Sequence, residues 1–90
     1  MTGNISSNRI SAIRSRLTSA LDPQLLDITD ESHLHAGHAG ARDGRGHFHV
    51  HIASARFRGL SRLAQHRLVY DALGDLMTTD IHAVRISAEI

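Results

Sequence analysis

The sequence predicts an α+β fold of order α-β-β-α-α-β, a small three-stranded mixed sheet with helices packed on one face. Two observations carry most of this. Apolar residues recur at spacings of three and four in two separate segments, the signature of a helix with one buried face. Between them His47–Ile52 alternates strictly, as a strand does when one face meets a core.

Ile10, Ile13, Leu17 and Leu21 form the stripe of the first helix, and Asp22-Pro23 ends it, because proline lacks an N–H and pushes the residue before it out of the α region. Residues 1–6, ahead of that stripe, are expected to be flexible. Leu25–Asp30 follows as a short strand with Leu26 and Ile28 inward. From Ser32 to Gly46 no apolar period survives, and Gly37, Gly40, Gly44 and Gly46 gather beside His33, His35 and His38, which predicts a long mobile loop. In the next strand Phe48, Val50 and Ile52 face the core, and His47, His49 and His51 face solvent. A short helix or turn through Arg62 precedes a longer helix to about Met77, with Gln65, Val69, Leu73 and Leu76 on one stripe, His66 at its edge and Arg67 opposite. Ile81–Ala88 closes the order as a strand on which His82 shares a face with Val84, Ile86 and Ala88. Residues 1–90 thus read as one domain without repeats.

Composition narrows the chemistry. The 90 residues carry a net charge of +1, with 41% hydrophobic and 21% charged residues, the balance of a chain that can fill one modest core. There is no cysteine, which excludes disulfides, thiol catalysis and a thiolate-only metal site built from this chain. All ten basic residues are arginine, so neither a Schiff-base lysine nor a P-loop lysine is present. Three aromatics are too few for a base-stacking platform. Met1-Thr2-Gly3-Asn4 lacks a basic start and an apolar stretch, and no apolar run reaches the ~20 residues of a membrane span. A cytoplasmic protein without membrane contact is expected.

Eight histidines are the chain's most distinctive feature, and they fall into three groups. His33, His35 and His38 read either as metal ligands gathered by a glycine-rich loop, imidazole being the commonest protein ligand, or as a solvated polar loop. His47, His49 and His51 form a row along one strand face. His66 at the helix edge reads as structural or interface-forming, and His82 at the start of the last strand sits where a rigid element can hold a ligand. No Ser–His pair has the geometry of a nucleophile and its base. Arg56, Arg58, Arg62 and Arg67 surround a helix pair that also allows a helix-turn-helix reading with phosphate contacts.

Taken in order, Asp30-Glu31-Ser32-His33-Leu34-His35-Ala36-Gly37-His38, His47-Phe48, Phe57-Arg58-Gly59, His66-Arg67-Leu68-Val69-Tyr70 and Ile81-His82-Ala83 resemble the BolA family over residues 10–86. The resemblance implies a class II KH-like fold. It also implies a non-enzymatic adaptor that pairs with a monothiol glutaredoxin and glutathione and shares a 2Fe–2S cluster, in iron–sulfur handling or iron regulation. Some family members are DNA-binding transcription regulators tied to stress and cell shape, the alternative reading. By resemblance the C-terminal ligand is His82 and the loop ligand His35, with His33 and His38 as alternatives. The family usually has arginine where this chain has Gln65. Gly37-His38-Ala39-Gly40 spells the GxxG that grips a nucleic-acid backbone in KH domains, but it joins two strands rather than two helices and is read as a decoy. The missing cysteine fits the cluster reading: two imidazoles can replace two thiolates on one iron, as in Rieske centres, and the remaining sulfur must come from a partner.

Overall fold

The central strand of the sheet is the alternating histidine segment. The computed structural model describes residues 5–32 and 46–90, with side chains from Asn8 onward. Helix α1 spans Ile5–Leu21, followed by strands β1 (Leu25–Asp30) and β2 (Gly46–Ala53). A single 3-10 turn (Ala55–Phe57) leads to α2 (Arg62–Leu73), α3 (Leu76–Thr79) and β3 (Ile81–Glu89). β2 pairs antiparallel with β1 and parallel with β3, giving a mixed sheet in the order β1-β2-β3.

All three helices lie on the face that carries Phe48, Val50 and Ile52, because those three side chains are the only continuous apolar row the central strand offers. They are fully buried together with Ile13, Leu17 and Leu21 of α1, Val69 and Leu73 of α2, and Leu76, Phe57 and Ile81. Leu26 and Ile28 of β1 and Val84, Ile86 and Ala88 of β3 are half-buried at the margins of this core. The expected stripes of both helices are therefore realised, and so is the α+β order. Among the described residues no helix is long and apolar enough to cross a membrane.

Of three local features, one differs from expectation. The short helix or turn expected ahead of the longer helix is a one-turn 3-10 helix capped by Ser54, and Ser61 starts α2 separately, its side chain accepting from Ala64 N. The long helix expected to reach Met77 breaks after Leu73. Gly74 takes a positive φ of 53°, which costs glycine little, and Arg16 of α1 binds both sides of the break, donating to Leu73 O (3.0 Å) and to Asp75 (2.8 Å). Asp22, at φ 45°, closes α1 with its N–H on Thr18 O before Pro23.

Among the described residues Ser54 is the one fully buried polar residue beside the core, and its hydroxyl and backbone N–H join three elements. It donates to Leu21 O at the end of α1 (2.6 Å) and accepts from Arg56 N (3.1 Å), while Ser54 N donates to Glu89 O of β3. Ser54→Ala strips the hydroxyl from both groups and leaves the Leu21 carbonyl without this donor. A loss of about 1–3 kcal/mol in urea unfolding is expected, with an unchanged m-value. The Arg16 guanidinium holds the Asp75 carboxyl below its ordinary value, first through the hydrogen bond and then through charge. That contribution is present above the unfolded carboxylate range and disappears as pH falls through the depressed folded value. Asp75→Asn should therefore flatten the acid limb of the stability–pH curve, measured by thermal unfolding between neutral and acid pH, and the effect should be small because the pair is exposed.

Candidate functional site

The site candidates gather where the chain leaves β1 and returns into β2, and that junction is tightly tied. At the exit, Ser32 N donates to Asp30 Oδ1 (2.8 Å), and Glu31 N donates to His47 O (2.7 Å). At the return, His47 N donates to Ser32 Oγ (3.1 Å), and Gly46 N donates to Asp80 O (2.9 Å), just ahead of β3. Arg85 of β3 reaches across the open sheet face to Glu31 (2.8 Å). The described residues flanking segment 33–45, Glu31-Ser32 and Gly46-His47, are thus held against each other and against the start of β3. His33, His35 and His38, and the GxxG, lie outside the described residues.

His82 does not sit where alternation put it. The parallel register runs Gly46↔Ile81 and then His47↔Ala83, so His82 is the extra residue of an irregularity in β3. Ile81 is fully buried, His82 is exposed, and inward parity resumes at Val84, Ile86 and Ala88. The expectation that His82 shares a face with Val84 and Ile86 is therefore corrected: the bulge turns it out to the open face of the sheet. The sequence does carry a signal for this, since Ile81 and Val84 are three residues apart and cannot both face the core in a regular strand.

The histidine row is also less open than expected. His47 is only 8% exposed, its Nε2 is closed to solvent, and its ring lies 5.1 Å centroid to centroid from that of His82, tilted by 44°. His49 and His51 are half-buried and bound across the sheet, His49 Nε2 to Ser87 Oγ (2.9 Å) and His51 Nε2 to the Glu89 carboxylate. The reason is the parallel neighbour: β3 lays polar side chains alongside this row, so its imidazoles find protein partners. Among the described residues, no three His, Cys, Asp or Glu side chains converge as a metal site.

His66, on α2, is half-buried and lines a cavity of about 340 Å³ with Arg62, Gln65 and the edge of β3 at Ile86, Ser87 and Ala88. Gln65 turns its amide to Phe57 O and Leu60 O, fixing the turn ahead of α2. Arg56, Arg58, Arg62 and Arg67 are all exposed on the helix side of the molecule. Sequence reasoning missed Ser32, Gly46 and Ser54, the small residues that tie the strands together. Polar residues at strand ends were the available signal.

These features define a small α+β domain with a mixed sheet, one helix-covered face, and a histidine-bearing sheet edge at a tied loop base. A model for BolA, described as BolA-like protein, matches residues 17–89, and the chain belongs to the BolA family. It is 42% identical over 78 residues to BolA-like protein 1 of Mus musculus, covering 87% of this chain and 55% of that protein. It is 35% identical over 74 residues to the DNA-binding transcriptional regulator BolA of Escherichia coli, covering 82% and 68%. The solved BolA domain of SufE1 from Arabidopsis thaliana superposes with a TM-score of 0.78 at 37% identity, over 99% of this chain and 94% of that one. The chain spans about half the length, or less, of the plant and mammalian curated relatives it matches.

Gly46 opens the irregular register. A Cβ built there would lie 2.6 Å from the buried ring of Phe48. Gly46→Ala should therefore destabilise the domain by about 1–3 kcal/mol and perturb the amide resonances of His47, Ile81 and His82 more than those of α1, as read by heteronuclear NMR.

Proposed function

We propose that the protein is a non-enzymatic adaptor that pairs with a monothiol glutaredoxin and shares a 2Fe–2S cluster with it through His82 and one histidine of segment 33–45. His35 is the first choice, with His33 and His38 as alternatives. One observation carries the reading: a strand irregularity exposes His82 beside the tied ends of the histidine-rich segment. An imidazole on a rigid strand start, with further imidazoles on a tethered segment, suits two-nitrogen ligation of one iron. The donor set fits, because two imidazoles can stand in for two thiolates on one iron of such a cluster. Glutaredoxin cysteine and glutathione would supply the sulfur that this cysteine-free chain lacks. The cluster would bring electron-transfer or transferable iron–sulfur chemistry, and this chain's part is to offer neutral imidazoles at a sheet edge. Imidazole ligation requires deprotonation, so a shared cluster is expected to be more acid-labile than an all-thiolate one.

Anaerobic reconstitution of the full chain with a monothiol glutaredoxin and glutathione tests this. A heterodimer with a visible and circular-dichroism spectrum distinct from that of the glutaredoxin alone is expected, and His82→Ala should abolish the difference. Single replacements of His33, His35 and His38 then identify the second ligand, with His35→Ala expected to have the largest effect. A spectrum indifferent to His82→Ala refutes the reading.

A second reading is favoured by the four exposed arginines and by the name of the Escherichia coli relative: DNA binding through Arg56, Arg58, Arg62 and Arg67. Against a helix-turn-helix mode stands α3, whose four residues make barely one turn. The DNA reading predicts sequence-specific binding that weakens with salt and with Arg58→Ala or Arg62→Ala.

A further inference from the structure

The imidazole of His82 projects from an exposed strand start, a position at which a side chain ordinarily exchanges among its staggered rotamers. A ligand that must meet a metal with useful precision needs its rotamer held by neighbours, to within about 0.5 Å. The ring of His47 lies against it, centroids 5.1 Å apart and planes tilted by 44°. That distance lies in the range of interacting ring pairs.

His47 is built to be a fixed surface. Its N–H is bound to Ser32 Oγ and its carbonyl accepts from Glu31 N, so both of its backbone polar groups are anchored to the chain leaving β1. Its side chain is buried, and its Nε2 is closed to solvent. A sealed nitrogen makes a poor ligand for a group delivered from outside, whereas a sealed, flat ring makes a good wall. The register irregularity completes the device: without the extra residue in β3, His82 would point to the core side and the two rings would never meet.

We propose that His47 is a positioning residue, a buried imidazole wall that holds the exposed His82 ring in one rotamer. As a statement about ligand geometry this rests on His82 being a cluster ligand; as a statement about the isolated chain it does not. His47 acts through His82 and supplies no donor atom itself.

Two variants separate ring contact from simple filling of space. His47→Phe keeps a flat ring, and His47→Leu fills a similar volume without one. In the full chain alone, the Hα–Hβ couplings of His82 report its rotamer. Wild type and His47→Phe should show one large and one small coupling, whereas His47→Leu should lose that difference to averaged values. Unchanged β2–β3 cross-strand nuclear Overhauser effects would show that the sheet is intact. After reconstitution with a monothiol glutaredoxin and glutathione, His47→Leu should broaden and shift the circular-dichroism bands of the cluster, and His47→Phe should restore them. Phe and Leu variants that behave alike in the coupling measurement overturn the proposal. If His82→Ala leaves the reconstituted spectrum unchanged, the ligand reading fails by itself, and the couplings still decide whether His47 positions His82.

Discussion

Everything distinctive about this molecule depends on how β3 meets β2. Parallel strands have no tight turn to set their register; pairing is set by side-chain packing and by what joins the chain ends. Here Ile81 must reach the core to seal the bottom of the sheet, while Val84, Ile86 and Ala88 must follow the parity of Phe48, Val50 and Ile52. Both demands can be met only if one residue between them is left over. That residue is His82. The core thus decides the exposure of a polar side chain that takes no part in the core itself, and Gly46, which leaves room for the Phe48 ring, is the partner that lets the strand start this way.

The rest of the structure secures that junction from two sides. On the helix side α1 lays Ile13, Leu17 and Leu21 over the sheet, and truncating any one of these to alanine would remove about 2–5 kcal/mol from a domain whose whole margin is of order 5–15 kcal/mol. α1 also reaches both ends of α3 with arginine: Arg16 binds Asp75, and Arg9 lies 3.4 Å from Asp80, the residue whose carbonyl receives Gly46 N–H. On the open side Arg85 and Glu31 bridge the outer strands. Such exposed pairs add little stability each. Their value is geometric, since every one of them touches a residue next to the β2–β3 junction or the break that precedes α3.

The helix stripes, the order of elements, and the inward row of β2 were all legible in the sequence, because each rests on periodicity over four or more residues. The break at Gly74 carries no periodic sign, since the apolar period of Val69, Leu73 and Leu76 runs straight through it; Arg16, remote in sequence, binds Leu73 O and Asp75 on its two sides. The strand-start position of His82 and the family resemblance both single it out, and alternation puts it on the wrong face. The odd spacing of Ile81 and Val84 contained the correction. The burial of His47 had no local signal at all, because it depends on a neighbour 35 positions away in the chain being displaced by one place in register.

The two functional readings use different layers of one small body. The arginines are exposed around the 3-10 turn and α2, on the helix side, whereas His82 lies at the start of β3 on the open face of the sheet. Any coupling between the two must pass through β3, the strand that carries His82 at one end and, farther along, the Ile86–Ala88 edge that lines the cavity with Arg62 and His66. That strand is held to the core by buried Ile81 at its start and by half-buried Val84, Ile86 and Ala88 along its length. Reciprocity then sets the size of the effect: whatever factor a cluster-bearing partner imposes on DNA affinity, DNA must impose on the partner's affinity.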